Sequence, residues 1–155
     1  MGIRVDEVGG LVSVQSDVFV SKRLRVNLGT GVAYVANDAF GGLLTFDVPP
    51  KGTISNVIFI DLDDEGIQKD LFLSNRIFTP TADNAPFDVT DDFVANVEGM
   101  VRIIDFFDLL NSQVGQATPA MAYNAPEGKL YGQLITRGAD NIAAGSLPLI
   151  FLKIV

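Results

Sequence analysis

Arg23-Leu24-Arg25-Val26-Asn27-Leu28 carries an apolar side chain at every second residue, the period of a strand that turns one face to a core and the other to water. Outward from it, Val57-Ile58-Phe59-Ile60 and Leu71-Phe72-Leu73 are denser in β-branched and aromatic residues. Strands covered on both faces have this composition, so these two are expected to be central. Further runs at 11–20, 43–46, 100–106, 130–136 and 147–155 are separated by Gly, Pro, Asn and Asp, which predicts roughly eight to ten strands in all. The expected fold class is all-β, an antiparallel β-sandwich or jelly-roll-like barrel. Against this background Thr90 precedes Asp91-Asp92-Phe93-Val94-Ala95-Asn96-Val97. A hydroxyl there can cap free amides while two carboxylates sit at the positive end of a helix dipole, so one short helix is expected near 91–97. Residues 107–126 alternate poorly and contain Gly115 and Pro119; they read as a long connection with one short strand. Residues 1–31, closing on Gly29-Thr30-Gly31, read as a separable strand or arm, and 32–155 as the sandwich domain.

A chain of 155 residues is the size of a single domain, long enough to bury a substantial core. Its 11 Lys and Arg face 19 Asp and Glu, a net charge of −8, which argues against any partner held through phosphates, nucleic acid above all. It has no Cys and no His. That composition excludes disulfides, thiolate nucleophiles, Cys/His zinc sites and mechanisms that shuttle protons through imidazole. The start, Met1-Gly2-Ile3-Arg4-Val5-Asp6-Glu7, is too charged to read as an export signal. The apolar run Leu147-Pro148-Leu149-Ile150-Phe151-Leu152 stops at Lys153, far short of the roughly 20 residues that cross a bilayer, so no membrane partner is expected. Hydrophobic residues make up 48% of the chain and charged ones 19%, more apolar surface than a lone monomer needs, and this points to a component of an assembly.

The motifs that resemble chemistry weaken when their spacing is followed. Asp61-Leu62-Asp63-Asp64-Glu65-Gly66 imitates the opening of a calcium loop, but the twelfth position is Phe72 where a bidentate Glu belongs, and the ninth is Lys69. A solvated acidic turn between strands is the better reading. Asp83, Asp88, Asp91 and Asp92 are candidates for a pair of catalytic carboxylates. However, Asp91 and Asp92 belong to a helix start, and Asp83-Asn84 beside Ala85-Pro86 reads as an Asx-type turn. Ser-x-x-Lys and Gly-x-Ser-x-Gly are absent, and Gly29-Thr30-Gly31 lacks the rest of a phosphate loop. No catalytic residue, metal or cofactor is expected. The 11 Phe residues read mainly as core filler in a chain without Trp. In 130–138 the period of a strand puts Leu130, Gly132, Leu134 and Thr136 on one face and Tyr131, Gln133, Ile135 and Arg137 on the other. An aromatic, an amide and a guanidinium together suit an interface.

Three segments together resemble a family of small structural proteins of tailed bacteriophages and prophages. They are Asp38-Ala39-Phe40-Gly41-Gly42-Leu43-Leu44-Thr45-Phe46, Thr81-Ala82-Asp83-Asn84-Ala85-Pro86-Phe87 and Leu130-Tyr131-Gly132-Gln133-Leu134-Ile135-Thr136-Arg137-Gly138. Thr53-Ile54-Ser55-Asn56-Val57 with Asp61, and Gly99-Met100-Val101, fall in the same order as in that family. The resemblance covers about 32–155, and the chain departs from it over 1–31. It implies a non-enzymatic virion protein, a capsid decoration or cement subunit on a β-sandwich. Such a subunit is assembled in the host cytoplasm, sits on the capsid surface, binds the major capsid protein and associates with itself as a homotrimer. A tail or fibre component that binds a host glycan or a tail partner is the alternative within the same resemblance. In this frame Asn37 and Asp38 close a turn, and Gly41 and Gly42 permit a bulge or close backbone approach. Asp38, Gly41 and Gly42 then join Tyr131, Gln133, Ile135 and Arg137 as the candidate interface.

Overall fold

In a computed structural model, which describes residues 3–5, 11–13, 17–29, 33–143 and 145–155, the chain forms two packed antiparallel sheets. The strands in chain order are β1 (Ile3–Val5), β2 (Leu11–Ser13), β3 (Phe19–Val20), β4 (Leu24–Arg25), β5 (Ala39–Asp47), β6 (Lys51–Asp61) and β7 (Lys69–Ser74). After the single-turn helix α1 (Asp91–Val94) come β8 (Val97–Ile103), β9 (Asp105–Asp108), β10 (Gln113–Ala117), β11 (Met121–Asn124), β12 (Lys129–Thr136) and β13 (Leu149–Ile154). One sheet runs β5-β12-β7-β8; the other runs β3-β13-β6-β10-β9, with β11 also on β6 and β4 also on β13. β1 and β2 pair with each other. The all-β sandwich expected from the two-residue period is the fold found, and β6 and β7 are central in their sheets.

Alternation decides which side chains meet between the sheets. Phe40, Leu44 and Phe46 of β5, Leu71 and Leu73 of β7, Val101 and Ile103 of β8, and Leu130 and Leu134 of β12 face Ile54, Val57 and Phe59 of β6 and Ile150, Leu152 and Ile154 of β13. The aromatic members form a relay: Tyr34 to Phe40 at 4.9 Å, Phe40 to Phe59 at 6.2 Å, and Phe59 to Phe106 at 6.4 Å between ring centroids. These tilted and edge-on contacts suit the ring quadrupole.

Residues 17–29 are part of the sandwich rather than a separable arm. Phe19–Val20 and Leu24–Arg25 pair with β13, and Val26 is wholly buried in the core; the rest of the expected arm lies largely outside the described residues. The connection expected over 107–126 contains two strands, β10 and β11, both paired with β6. Its alternation is hidden because the one buried position of β10 is Gly115, where a Cβ would sit 2.8 Å from both Ile103 and Phe106. The expected strand at 100–106 is two strands in different sheets, turning at Ile104. The helix is shorter than 91–97, and the Thr90 side chain makes no capping bond; its backbone carbonyl accepts from Phe93 and Val94 instead.

Between the sheets, deletion of volume should be felt strongly. Leu134→Ala is expected to lower unfolding free energy by about 2–5 kcal/mol, whereas Val35→Ala, at a position 63% exposed, should change it by no more than about 0.5 kcal/mol. Urea denaturation of both variants checks the contrast.

Candidate functional site

Most of the residues singled out in the sequence as an interface converge inside the molecule, with Arg137 and Gly42 half-buried. The sequence assigns the two faces of β12 correctly: Leu130 and Leu134 reach the main core, and Tyr131 reaches the opposite face. That opposite face is covered by 75–94, whose Phe78, Phe87, Val89 and Phe93 pack with Phe72, Leu43 and Tyr131 into a second apolar cluster. Phe72 meets Phe78 edge-on at 5.2 Å and Phe87 at 5.8 Å. Tyr131, Gln133 and Ile135 are thus buried within the chain and are not available to a partner. The physical reason is local: a sheet with Phe72 and Tyr131 on its outer side leaves too much apolar area in water unless the chain covers it.

Gln133 is fully buried and every polar atom of its amide is matched. Nε2 donates to the carbonyls of Gly41 at 2.8 Å and Thr81 at 2.7 Å, and Oε1 accepts from Thr81 N at 2.9 Å. The register against β5 jumps here, from Gly132 opposite Leu44 to Leu134 opposite Phe40. Three residues of β5 therefore stand opposite one of β12, a bulge. Gly41 sits in it at φ +79°, where a Cβ would lie 2.4 Å from Val26 Cγ1, while a Cβ on Gly42 would meet open space. Of the two glycines, only Gly41 is required by its backbone.

The second polar knot forms around Asp83. Its carboxylate accepts from Gly29 N at 2.6 Å, Gly41 N at 2.7 Å and the Tyr34 hydroxyl at 2.8 Å. Burial, and after it the hydrogen bond and charge of Asp83, raise the Tyr34 phenol well above its ordinary 10.0. Asp38, also buried, accepts from Val35 N at 2.9 Å, so Asn37 and Asp38 close a turn as expected, with Asn37 at φ 77°. Arg137 reaches the surface edge of the same sheet. Its guanidinium binds Asp70 at 2.8 Å and Asn37 Oδ1, and Asp70 also faces Arg102 at 3.6 Å.

The most unusual group is one the sequence reading passed over. Lys69, the first residue of β7, and Asp140, in the loop after β12, are both 1% exposed. Lys69 Nζ lies 3.0 Å from each carboxylate oxygen of Asp140 and 2.7 Å from the Ile67 carbonyl. The ammonium stands 4.6 Å from the Phe40 ring centroid and 5.6 Å from that of Phe59, and Thr136 Oγ1 donates to Asp140 Oδ2. Burial acts on both partners in the direction of neutrality, lowering Lys69 and raising Asp140, and their mutual attraction opposes it. Glu65, in the loop beside them, is likewise raised by burial, and its carboxyl meets the Asn141 backbone. The one available signal was a lysine opening an otherwise apolar central strand, Lys69-Asp70-Leu71-Phe72-Leu73.

The acidic candidates do not assemble. In 61–66 the Asp61 carboxylate is occupied by Asp63 N at 2.9 Å, Glu65 N at 3.0 Å and Gly66 N at 2.9 Å. This loop crosses from one sheet to the other instead of closing a hairpin. Asp88, Asp91 and Asp92 are exposed, apart from the Asp83 knot. Among the described residues no three acidic side chains are grouped to hold a metal ion. A cleft under α1, lined by Arg76, Ile77, Asp92, Phe93, Asn96 and Glu127, shares no residue with either polar knot or with the Lys69–Asp140 pair. Comparisons with protein-family models, curated proteins and solved structures found no match.

Two outcomes are expected from this geometry. Gly41→Ala, strained at its φ and blocked by Val26, should lose about 2 kcal/mol or more, and Gly42→Ala should stay within about 0.5 kcal/mol, as read by thermal unfolding. For Tyr34 the folded state keeps its proton where the unfolded chain releases it. Its contribution to stability is therefore full below the ordinary 10.0 and falls as pH rises beyond it. In a spectrophotometric alkaline titration, the Tyr34 phenolate should appear only together with loss of the fold, and Tyr34→Phe should remove that late component.

Proposed function

We propose that the chain is a non-enzymatic structural protein of a tailed-bacteriophage particle, a decoration subunit on the capsid surface that is assembled in the host cytoplasm. It acts through contact area, with copies of itself and with the major capsid protein, and the resemblance over 32–155 supplies the homotrimer. The observation that carries this reading is the exposed apolar edge of the sandwich. β8 and β9 end their respective sheets, and along them and the turn that follows Val97, Met100, Ile104, Phe107, Leu109 and Leu110 are exposed, Leu110 at 81%. Ile104 joins the two strands, so the apolar side chains continue from one sheet edge to the other. An apolar edge next to acidic residues is the composition of a surface that buries itself against a neighbour. The groups that carry chemistry elsewhere are here committed to internal bonds: Gln133, Asp83, Asp61 and Asp38.

This reading moves the interface from the outer face of β12 to the β8–β9 edge. Light scattering on the purified chain should give a discrete oligomer, a trimer by the resemblance, that binds expanded phage heads. Phe107→Glu should weaken self-association by roughly two orders of magnitude while leaving the circular dichroism spectrum unchanged. A stable monomer with no affinity for capsids would overturn the proposal, and binding to isolated tails or to a glycan array would replace it with the tail reading.

A further inference from the structure

We propose that Lys69 and Asp140 condense into an intramolecular isopeptide bond, without a second protein, once the sandwich has folded around them. Nζ is 3.0 Å from both carboxylate oxygens, within the range at which reacting groups held in place behave as a single molecule with very high effective concentration. Water, which in solution makes amide formation unfavourable, is kept out: both residues are 1% exposed and the Phe40 and Phe59 rings lie beside the amine. A dry site also disfavours an ammonium facing a carboxylate relative to the neutral amine and acid.

One proton passes directly from the Lys69 ammonium to the Asp140 carboxylate, 3.0 Å away, leaving an amine and a carboxylic acid. The Nζ lone pair attacks Asp140 Cγ, one C–O bond breaks, and the departing oxygen takes the acid proton and one amine proton away as water. One C–N bond has formed, no redox change has occurred, and the net charge of −8 is kept because one positive and one negative charge vanish together. The product is already provided with partners: the Ile67 carbonyl, 2.7 Å from Nζ, accepts from the new N–H, and Thr136 Oγ1 donates to the remaining oxygen. Glu65, half-buried in the loop that precedes Lys69, acts on both partners through space. Asp61 also acts through space on both partners, but three backbone amides hold its carboxylate.

Intact-mass spectrometry of the folded full chain tests the bond. The expected mass is that of the sequence less one water, and trypsin should release a branched peptide joining 52–76 to 138–153, because modified Lys69 resists cleavage. Lys69→Arg and Asp140→Ala should each restore the full sequence mass. Should either variant fail to fold, the wild-type peptide map still decides. A folded wild-type chain at its full sequence mass overturns the proposal. So does a water loss that maps to a linear peptide.

Discussion

The four-stranded sheet is apolar on both of its faces, and the rest of the architecture answers that constraint. Its inner face, with Leu71, Leu73, Leu130 and Leu134, is covered by the other sheet. Its outer face, with Phe72 and Tyr131, has no second sheet to meet, so the chain between β7 and β8 folds back across it and supplies Phe78, Phe87 and Phe93. Burial of each such side chain is worth on the order of 1.5–3 kcal/mol. That gain offsets the conformational entropy of fixing a long segment that has only one helical turn of its own. The covering segment is then fastened by polar contacts. Gln133 reaches from β12 to Thr81, and Asp83 reaches from the segment down to Gly29, Tyr34 and Gly41. A single bulge in β5 serves both, since Gly41 presents its carbonyl to Gln133 and its amide to Asp83.

Periodicity made the sandwich legible because nearly every central strand keeps two-residue alternation or a dense β-branched run, and Leu24, Val26 and Leu28 all turn inward. It failed where the inward residue has no side chain to count, as at Gly115, and where a strand changes sheet in mid-run, as at Ile104. The two faces of β12 were also legible, yet the fate of the outer one was not. Whether Tyr131 and Gln133 meet solvent, a neighbour or the chain itself depends on where 75–94 lies, and this is a non-local fact. Thr90 shows the limit of cap rules in a one-turn helix, where the backbone carbonyl does the accepting. Lys69 and Asp140 stand 71 positions apart, so no local spacing pairs them.

Internal polar groups in this fold are few and, with rare exceptions, matched; Ser146 Oγ is the buried side-chain atom without a partner among the described residues. Matched buried groups restrict a core to one arrangement, because any other packing strands a donor or acceptor at a penalty of about 1–3 kcal/mol. The proposed role would draw on such a core, since outer contacts hold only while the side chains that make them stay in register.

In β9, Asp105 and Asp108 bracket Phe106 and Phe107 at the open margin of the larger sheet, and the Asp108 carboxylate bends the chain away by accepting from Leu110 N at 2.7 Å. A strand this brief, flanked by two anions, is a poor template for endless backbone pairing with a neighbour, which would bring like charges face to face. Under the proposed self-association, neighbours would then meet through side chains, whose geometry can close on itself, and a sticky margin would give a finite ring of subunits rather than a filament.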